Sequence, residues 1–298
     1  MIIGSHVNFS KEQLYGCVKS ANSYGANSFM FYTGAPQNTM RSEINNKYTM
    51  LAQKLMKENN IDINNIFCHA PYIINLANKN NIDNWNFSIL FMQKELNRVQ
   101  KLGVKYIIIH PGNYLKSNIN EAIINISDAL NKILDVNNSV SILIESMAGK
   151  GTECGKNINE LAEIIKNIKK QSQIGVCLDT CHLNDSGVNL LYFDKYLDEF
   201  DKYIGISKIK CIHLNDSKND VGTRKDRHAN IGFGKIGFIN LINVCYHEKL
   251  KDVPKILETP WIKDYPPYKF EIKMLKEKKF NENLYQDVEN YYNSVENF

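Results

Sequence analysis

Short apolar runs recur along the chain, and helical periods separate them. The first run is Ile2-Ile3-Gly4-Ser5. A helix is predicted after it from about Ser10, a candidate N-cap with Gln13 three residues on. The next is Ser28-Phe29-Met30-Phe31-Tyr32, then a loop from Thr33 to Thr39 and a helix through Leu51 and Leu55. Asn65-Ile66-Phe67-Cys68-His69 is third, before a long helix to Leu102 that Gly103 should close. Tyr106 to His110 and Val140 to Glu145 are fourth and fifth, and a glycine-rich loop after the fifth leads into a helix at Ile158 to Ile168. Ile174 to Asp179, Ile209 to His213 and Lys255 to Glu258 complete eight. Runs of this length, alternating with helices, read as buried parallel strands.

Eight such β-α units with no shift in composition predict one domain over 1–298, an α/β (β/α)8 barrel of the TIM type. Positions from about 262 to 298 are polar and read as a closing helix plus a loose tail. Length, 43% hydrophobic and 23% charged residues suit an ordinary globular protein. The longest apolar runs are strand-sized, far short of the roughly 20 residues of a membrane span, so no membrane partner is expected. The N-terminus opens in strand-like sequence without a signal-peptide pattern. Seven scattered cysteines with no Cys-x-x-Cys pair predict a reducing, cytoplasmic location. A net charge of +4 permits a polyanionic partner without demanding one.

Six of the eight strands end on a metal-ligand type: His69, His110, Glu145, Asp179, His213 and Glu258. In a barrel of this kind the C-terminal strand ends build the active site. Strand parity puts Cys177 and Cys211, two residues before Asp179 and His213, in a lower layer of the barrel, and turns Cys68 towards the helices. His182 follows Asp179 by three residues and is placed in the next loop. Asp226 and His228, two apart, should share one side of an extended segment. His6 reads as a pocket-lining support and His247 as a surface residue. Five His, two Asp and two Glu without thiolate suit two or three first-row dications, zinc before Mn or Fe, with open positions for water. A carboxylate such as Glu145 could bridge two ions, an arrangement used in phosphoryl displacement. No phosphate-binding glycine loop or dinucleotide fingerprint is present, so no nucleotide cofactor is expected.

The motifs together are specific. Gly4-Ser5-His6-Val7, Thr33 to Asn38, His69-Ala70-Pro71-Tyr72, His110-Pro111-Gly112, Ile144 to Gly149, Asp179-Thr180-Cys181-His182, His213 to Lys218, Asp226-Arg227-His228 and Leu257-Glu258-Thr259-Pro260 span nearly the whole length. With them the chain resembles the endonuclease IV family of apurinic/apyrimidinic endonucleases. The resemblance implies a TIM barrel with three zinc ions. It assigns His69, His110 and Glu145 to the first, Glu145, Asp179, His213 and Glu258 to the second, and His182, Asp226 and His228 to the third. It implies cleavage 5′ to abasic sites in duplex DNA, giving a 3′-hydroxyl and a 5′-deoxyribose phosphate, with trimming of blocked 3′ ends. It makes Glu145 and Glu258 catalytic. Tyr72 and Ile73 become a wedge in the abasic gap, and Gln37, Asn38, Lys218 and Arg227 become DNA contacts. An arginine that relatives insert from the second βα loop has no clear counterpart; Gln37, Asn38 and Arg41 stand open for that role. A monomer is expected. The competing readings are a metal-dependent sugar or sugar-phosphate isomerase on a similar barrel, which needs no third ion, and a non-catalytic metal- or DNA-binding barrel.

Overall fold

A computed structural model of the protein describes residues 1–136 and 139–296. Eight parallel strands close a barrel in the order β1-β10-β7-β6-β5-β4-β3-β2. They are β1 (Ile3–His6), β2 (Ser28–Phe31), β3 (Ile66–His69), β4 (Tyr106–Ile109), β5 (Ser141–Glu145), β6 (Ile174–Asp179), β7 (Ile209–His213) and β10 (Lys255–Leu257). The predicted barrel is the observed one, with ends differing by a residue or so. Two further strands, β8 (Asp216–Ser217) and β9 (His228–Ala229), form a small antiparallel ribbon above β7. Helices α1 (Gln13–Ser23), α2 (Asn46–Glu58), α3 (Ile82–Lys101), α4 (Ile119–Leu134), α5 (Ile158–Lys166), α6 (Thr180–Ser186), α7 (Phe193–Tyr203) and α8 (Phe238–Cys245) lie between strands. Beyond Trp261 there are two helices, α9 (Tyr268–Glu277) and α10 (Leu284–Glu296), rather than one and a loose end. Positions 297–298 of the expected tail lie outside the described residues.

The barrel interior explains where the site stands. Met30, Phe67, Ile108, Leu143, Cys177, Cys211 and Ile256 form one buried cluster separate from the helix-side core. Side chains alternate along a strand, so a residue two beyond a member of this floor points inward one layer higher. His69, His110, Glu145, Asp179, His213 and Glu258 each stand two residues beyond one of the floor residues. Cys68 packs into the helix-side core, as its parity demands. All seven cysteines are free and buried.

Two local elements show how sequence sets the frame. At α5, Asn157 accepts from the Glu160 amide at 2.9 Å and Glu160 reaches back to the Gly155 amide at 2.9 Å, a reciprocal cap. Ile158, Leu161, Ile164 and Ile165 then form its buried face. At α3, Gly103 adopts φ +75° and closes the helix as expected. At α1 the expectation fails. The helix begins at Gln13, not near Ser10, and no side chain caps it. Gln13 itself stands at φ +48°. Its side-chain amide is engaged elsewhere, donating to the Glu43 carbonyl at 2.7 Å and accepting from Asn45 N at 2.9 Å. Those long-range bonds win over the local cap. Among the described residues, no helix is long and apolar enough to cross a membrane.

Candidate metal centre

Three groups of imidazole and carboxylate donor atoms meet at the C-terminal mouth of the barrel, and two further groups draw on thiols, Cys177 and Cys211 with His213 and Cys181 with Asp179 and His228. His69, His110 and Glu145 form one; Glu145, Asp179, His213 and Glu258 form a second; His182, Asp226 and His228 form a third. Within each group the atoms lie within 4.8 Å of one another. The structure therefore brings the nine residues named from the sequence together, in the groups that the resemblance implies. Glu145 is the hinge of the arrangement. Its Oε2 lies 3.0 Å from His69 Nε2 and 3.2 Å from His110 Nε2, and its Oε1 lies 3.0 Å from His213 Nδ1. Glu258 Oε2 faces the same His213 nitrogen at 3.0 Å.

Two details of the third group differ from expectation. His182 stands on the first turn of helix α6, not in a loop. Asp179 caps that helix by accepting from the His182 amide at 2.8 Å, so one carboxylate both starts the helix and faces the cluster. Asp226 is not extended: its φ is +54°. The β8–β9 ribbon nevertheless folds His228 back beside it, with His182 Nε2 at 3.2 Å and His228 Nε2 at 3.5 Å from Asp226 Oδ1.

The donor set fits metal ions. His69, His182 and His228 each turn Nδ1 to a backbone carbonyl, of Ala70 at 2.7 Å, Ser146 at 2.8 Å and Glu258 at 3.1 Å. A carbonyl only accepts, so each Nδ1 carries a hydrogen and each Nε2 is the ring atom turned to the cluster. Those nitrogens face carboxylate oxygens or, for His228, no hydrogen-bond partner at all. Ring nitrogens and carboxylate oxygens facing one another across about 3 Å call for positive charge between them, a proton or a metal ion. Imidazoles fixed through the far nitrogen are the usual support of metal ligands. The local field also favours positive charge beside these carboxylates. Burial alone would raise the pKa of Glu145, yet His213 and His110 hold it well below the ordinary range. Burial would lower His182, yet Asp179 and Asp226 push it well above.

Asn215 is a member of the site that the sequence reading misses. Its side-chain amide donates to Asp179 Oδ2 at 2.8 Å and accepts from the Glu258 backbone amide at 2.8 Å, joining the strand ends that carry Asp179 and Glu258. Its place two residues beyond His213 is the only sequence signal. Tyr32, likewise missed, packs its ring 5.0 Å from His69 and donates to the Tyr72 hydroxyl at 2.8 Å.

The proposed DNA contacts divide. Tyr72 is 58% exposed and lies over the first group, its ring 5.8 Å from that of His110. Ile73 is only half-exposed. Gln37, Lys218 and Arg227 are exposed or partly so; Asn38 binds the Met40 amide at 3.0 Å. Arg41 is not available: its side chain is 8% exposed and its guanidinium ion-pairs with buried Glu95 at 2.9 Å. A cavity of about 590 Å³, lined by His6, Tyr32, Pro36, Tyr72 and Glu258 among others, adjoins one of about 370 Å³ over the three groups. His6 lines the first of these cavities, its ring edge-on to Tyr32 at 5.3 Å. His247 pairs with Asp194 at 2.9 Å, away from the site.

A profile of the xylose isomerase-like TIM barrel family matches residues 18–278. A probable endonuclease 4 of Bacillus subtilis is 48% identical over 96% of this chain and 98% of its own. The chain belongs to the endonuclease IV family. The crystal structure of endonuclease IV from Thermus thermophilus superposes with a TM-score of 0.79 at 26% identity, covering 93% of this chain and 98% of that one. A D-tagatose 3-epimerase-like protein superposes at 0.69 with 21% identity, over 98% and 99% of the two chains, and shares the fold alone. Within the endonuclease IV family the arrangement of donors, rather than the barrel, is what bears on chemistry.

Proposed function

We propose that this chain is a DNA-repair endonuclease that hydrolyses the phosphodiester 5′ to abasic sites in duplex DNA. It leaves a 3′-hydroxyl and a 5′-deoxyribose phosphate, trims blocked 3′ ends, and works with three zinc ions. The carrying observation is the triple grouping of donors around Glu145, with imidazole Nε2 atoms turned inward. His69, His110 and Glu145 would hold one ion; Glu145, Asp179, His213 and Glu258 a second; His182, Asp226 and His228 a third. Zinc so held would polarise phosphoryl oxygens, lower the pKa of bound water and stabilise a leaving oxygen. Glu145 keeps the first two groups together and, with Glu258, supplies the negative charge that sets the balance of the pair. Tyr72 covers the first group and offers a face to the base pairs flanking the gap. An abasic nucleotide has no base to unstack, so turning it into the cleft costs less than for an intact one. Lys218 and Arg227, exposed on the loop of the third group, would contact phosphates.

The test is a nicking assay on a duplex with one abasic site, run beside elemental analysis of the same protein. Site-specific nicking with three ions per chain is expected. Sugar isomerisation with one or two ions and no nicking would replace this reading with the isomerase one.

A further inference from the structure

We infer that Asp185 is the positioning residue of the third group, and that it shapes the loop over 218–227 before any ion binds. The inference rests on the reading of His182, Asp226 and His228 as a ligand set.

Asp185 stands one helical turn beyond His182 on α6 and is fully buried. Its carboxylate grips the backbone that carries one of the nine donors. Oδ2 accepts from the Asp226 amide at 2.7 Å and from Asn219 Nδ2 at 2.9 Å. Oδ1 accepts from Ser217 Oγ at 2.7 Å and Asn184 Nδ2 at 3.1 Å. The Asp185 carbonyl accepts from the Arg224 amide at 2.9 Å. Asn184 adds two more ties, from its carbonyl to the Gly222 amide at 2.9 Å and from Nδ2 to the Asn219 carbonyl at 3.0 Å.

The loop needs this grip. Gly222, Arg224 and Asp226 stand at φ +81°, +55° and +54°. For Arg and Asp that region is disfavoured and persists only where surroundings impose it. The Asp226 conformation is what turns its carboxylate to His182 and His228. A buried carboxylate accepting charge-assisted bonds from Asp226 N and side chains is a strong fixed point. It also joins the helix of one ligand to the loop of another. The cations Lys218, Arg224, Lys225 and Arg227 ride on the same loop, so the clamp sets their bearing too.

Asp185→Ala removes the fixed point and leaves the Asp226 amide without its partner. Groups that hold metal ligands in place typically govern affinity by roughly 10–100-fold. Zinc titration of Asp185→Ala should show the third ion weakened by that factor, with the first two held as in the parent. Asp185→Asn should recover most of the loss. Its oxygen can stay on the Asp226 amide while its NH2 group donates to Ser217 Oγ, with Asn184 Nδ2 left to the Asn219 carbonyl that it already binds. Three ions held normally by Asp185→Ala, or all three lost together, would overturn the inference. A parent protein that never binds a third ion would instead refute the ligand set itself. A second measurement uses the parent protein alone, should Asp185→Ala not fold. After chelation, hydrogen exchange at the Asp226 amide should stay protected, because the carboxylate holds it without metal. Loss of that protection with the metal would show the ion ordering the loop, and would overturn the inference.

Discussion

The first two donor groups and the third are built in different ways. His69, Glu145, Asp179 and His213 end β-strands, and all four are at most 2% exposed. Each stands one layer above the barrel floor, so hydrogen-bonded strands fix its position on both sides. The third group is assembled from a helix turn, a loop residue at positive φ and a two-residue ribbon. Exposure does not separate the two, since His110 and Glu258, each one residue past its strand, are 30% and 18% exposed against 29% and 20% for Asp226 and His228; the backbone that carries them does. A strand-borne group is preorganised by the fold itself, whereas a loop-borne one depends on dedicated clamps such as Asp185. The two should therefore fail differently.

The largest effect is expected at Glu145, which serves both strand-borne groups. Glu145→Gln keeps the shape and removes the shared charge. Several kcal/mol of charge stabilisation are at stake, so single-turnover cleavage should fall by roughly a thousandfold or more at about 1.36 kcal/mol per decade. Elemental analysis should show the third group still loaded. Loss of all three ions would mean the two regions are not independent, and the contrast would fail. Asp226→Asn probes the other side. It should cost about 10–100-fold in affinity for one ion and reduce cleavage without emptying the strand-borne pair. An Asp226→Asn protein stripped of every ion would equally break the contrast.

The same contrast governs what is legible in the sequence. Strand-end ligands follow from parity: an apolar run fixes the strand, and a polar residue two beyond the floor must face the mouth. Hence the barrel and six of the nine donors can be placed from the residues alone. His182 reads as a loop residue because a seven-residue helix has too few turns to show a period. Asp226 reads as extended because nothing local announces a positive φ at an aspartate. Asp185 carries no signal at all, since its decisive partner lies 41 residues away. Ser10 fails as a cap for the same reason, long-range bonds of Gln13 overriding the local motif. Arg41, an open candidate for DNA, is committed to Glu95, a partner 54 residues distant.

A smaller effect belongs to Tyr72, which sits on the strand-borne side. Tyr72→Ala should weaken binding to abasic duplex by about ten- to a hundredfold, because base–aromatic stacking is worth roughly 1–3 kcal/mol. Metal content should stay normal, since the Nδ1 of His69 is held by the Ala70 carbonyl and not by Tyr72. The Tyr32–Tyr72 hydroxyl pair gives the competing outcome. If Tyr72 mainly props Tyr32 against His69, then Tyr72→Ala would strip the first ion and leave DNA affinity unchanged in any protein that remains loaded. Gel-shift titration with metal analysis separates the two.

The smallest effect on cleavage, and one that joins the two regions, is expected at Glu271 on α9. Its carboxyl is fully buried. It accepts from the Thr259 hydroxyl, next to Glu258, and from the Ile231 amide at 2.9 Å and Asn230 Nδ2 at 3.1 Å, just beyond His228. It thus braces the loop behind the second group and the loop behind the third. Burial pushes its pKa up to about 7 from an ordinary 4.5. Between those values the folded protein holds a proton that the unfolded chain has released. Stability from this group therefore falls as pH rises through that window, and the penalty is complete above about pH 7. At about 1.36 kcal/mol per pH unit the penalty is about 3 kcal/mol at most. Glu271→Gln cannot ionise. Its oxygen can keep Ile231 and Asn230 while its NH2 group donates to Thr259 Oγ1. The variant should match the parent in melting temperature near pH 5, exceed it near pH 8, and cleave at nearly the parental rate. Identical melting curves at both pH values would mean that the carboxyl stays in one protonation state throughout. A fall in third-ion occupancy alone would show that Glu271 braces the loop-borne region and not the strand-borne one. A matched fall in both would make it the mechanical link between them.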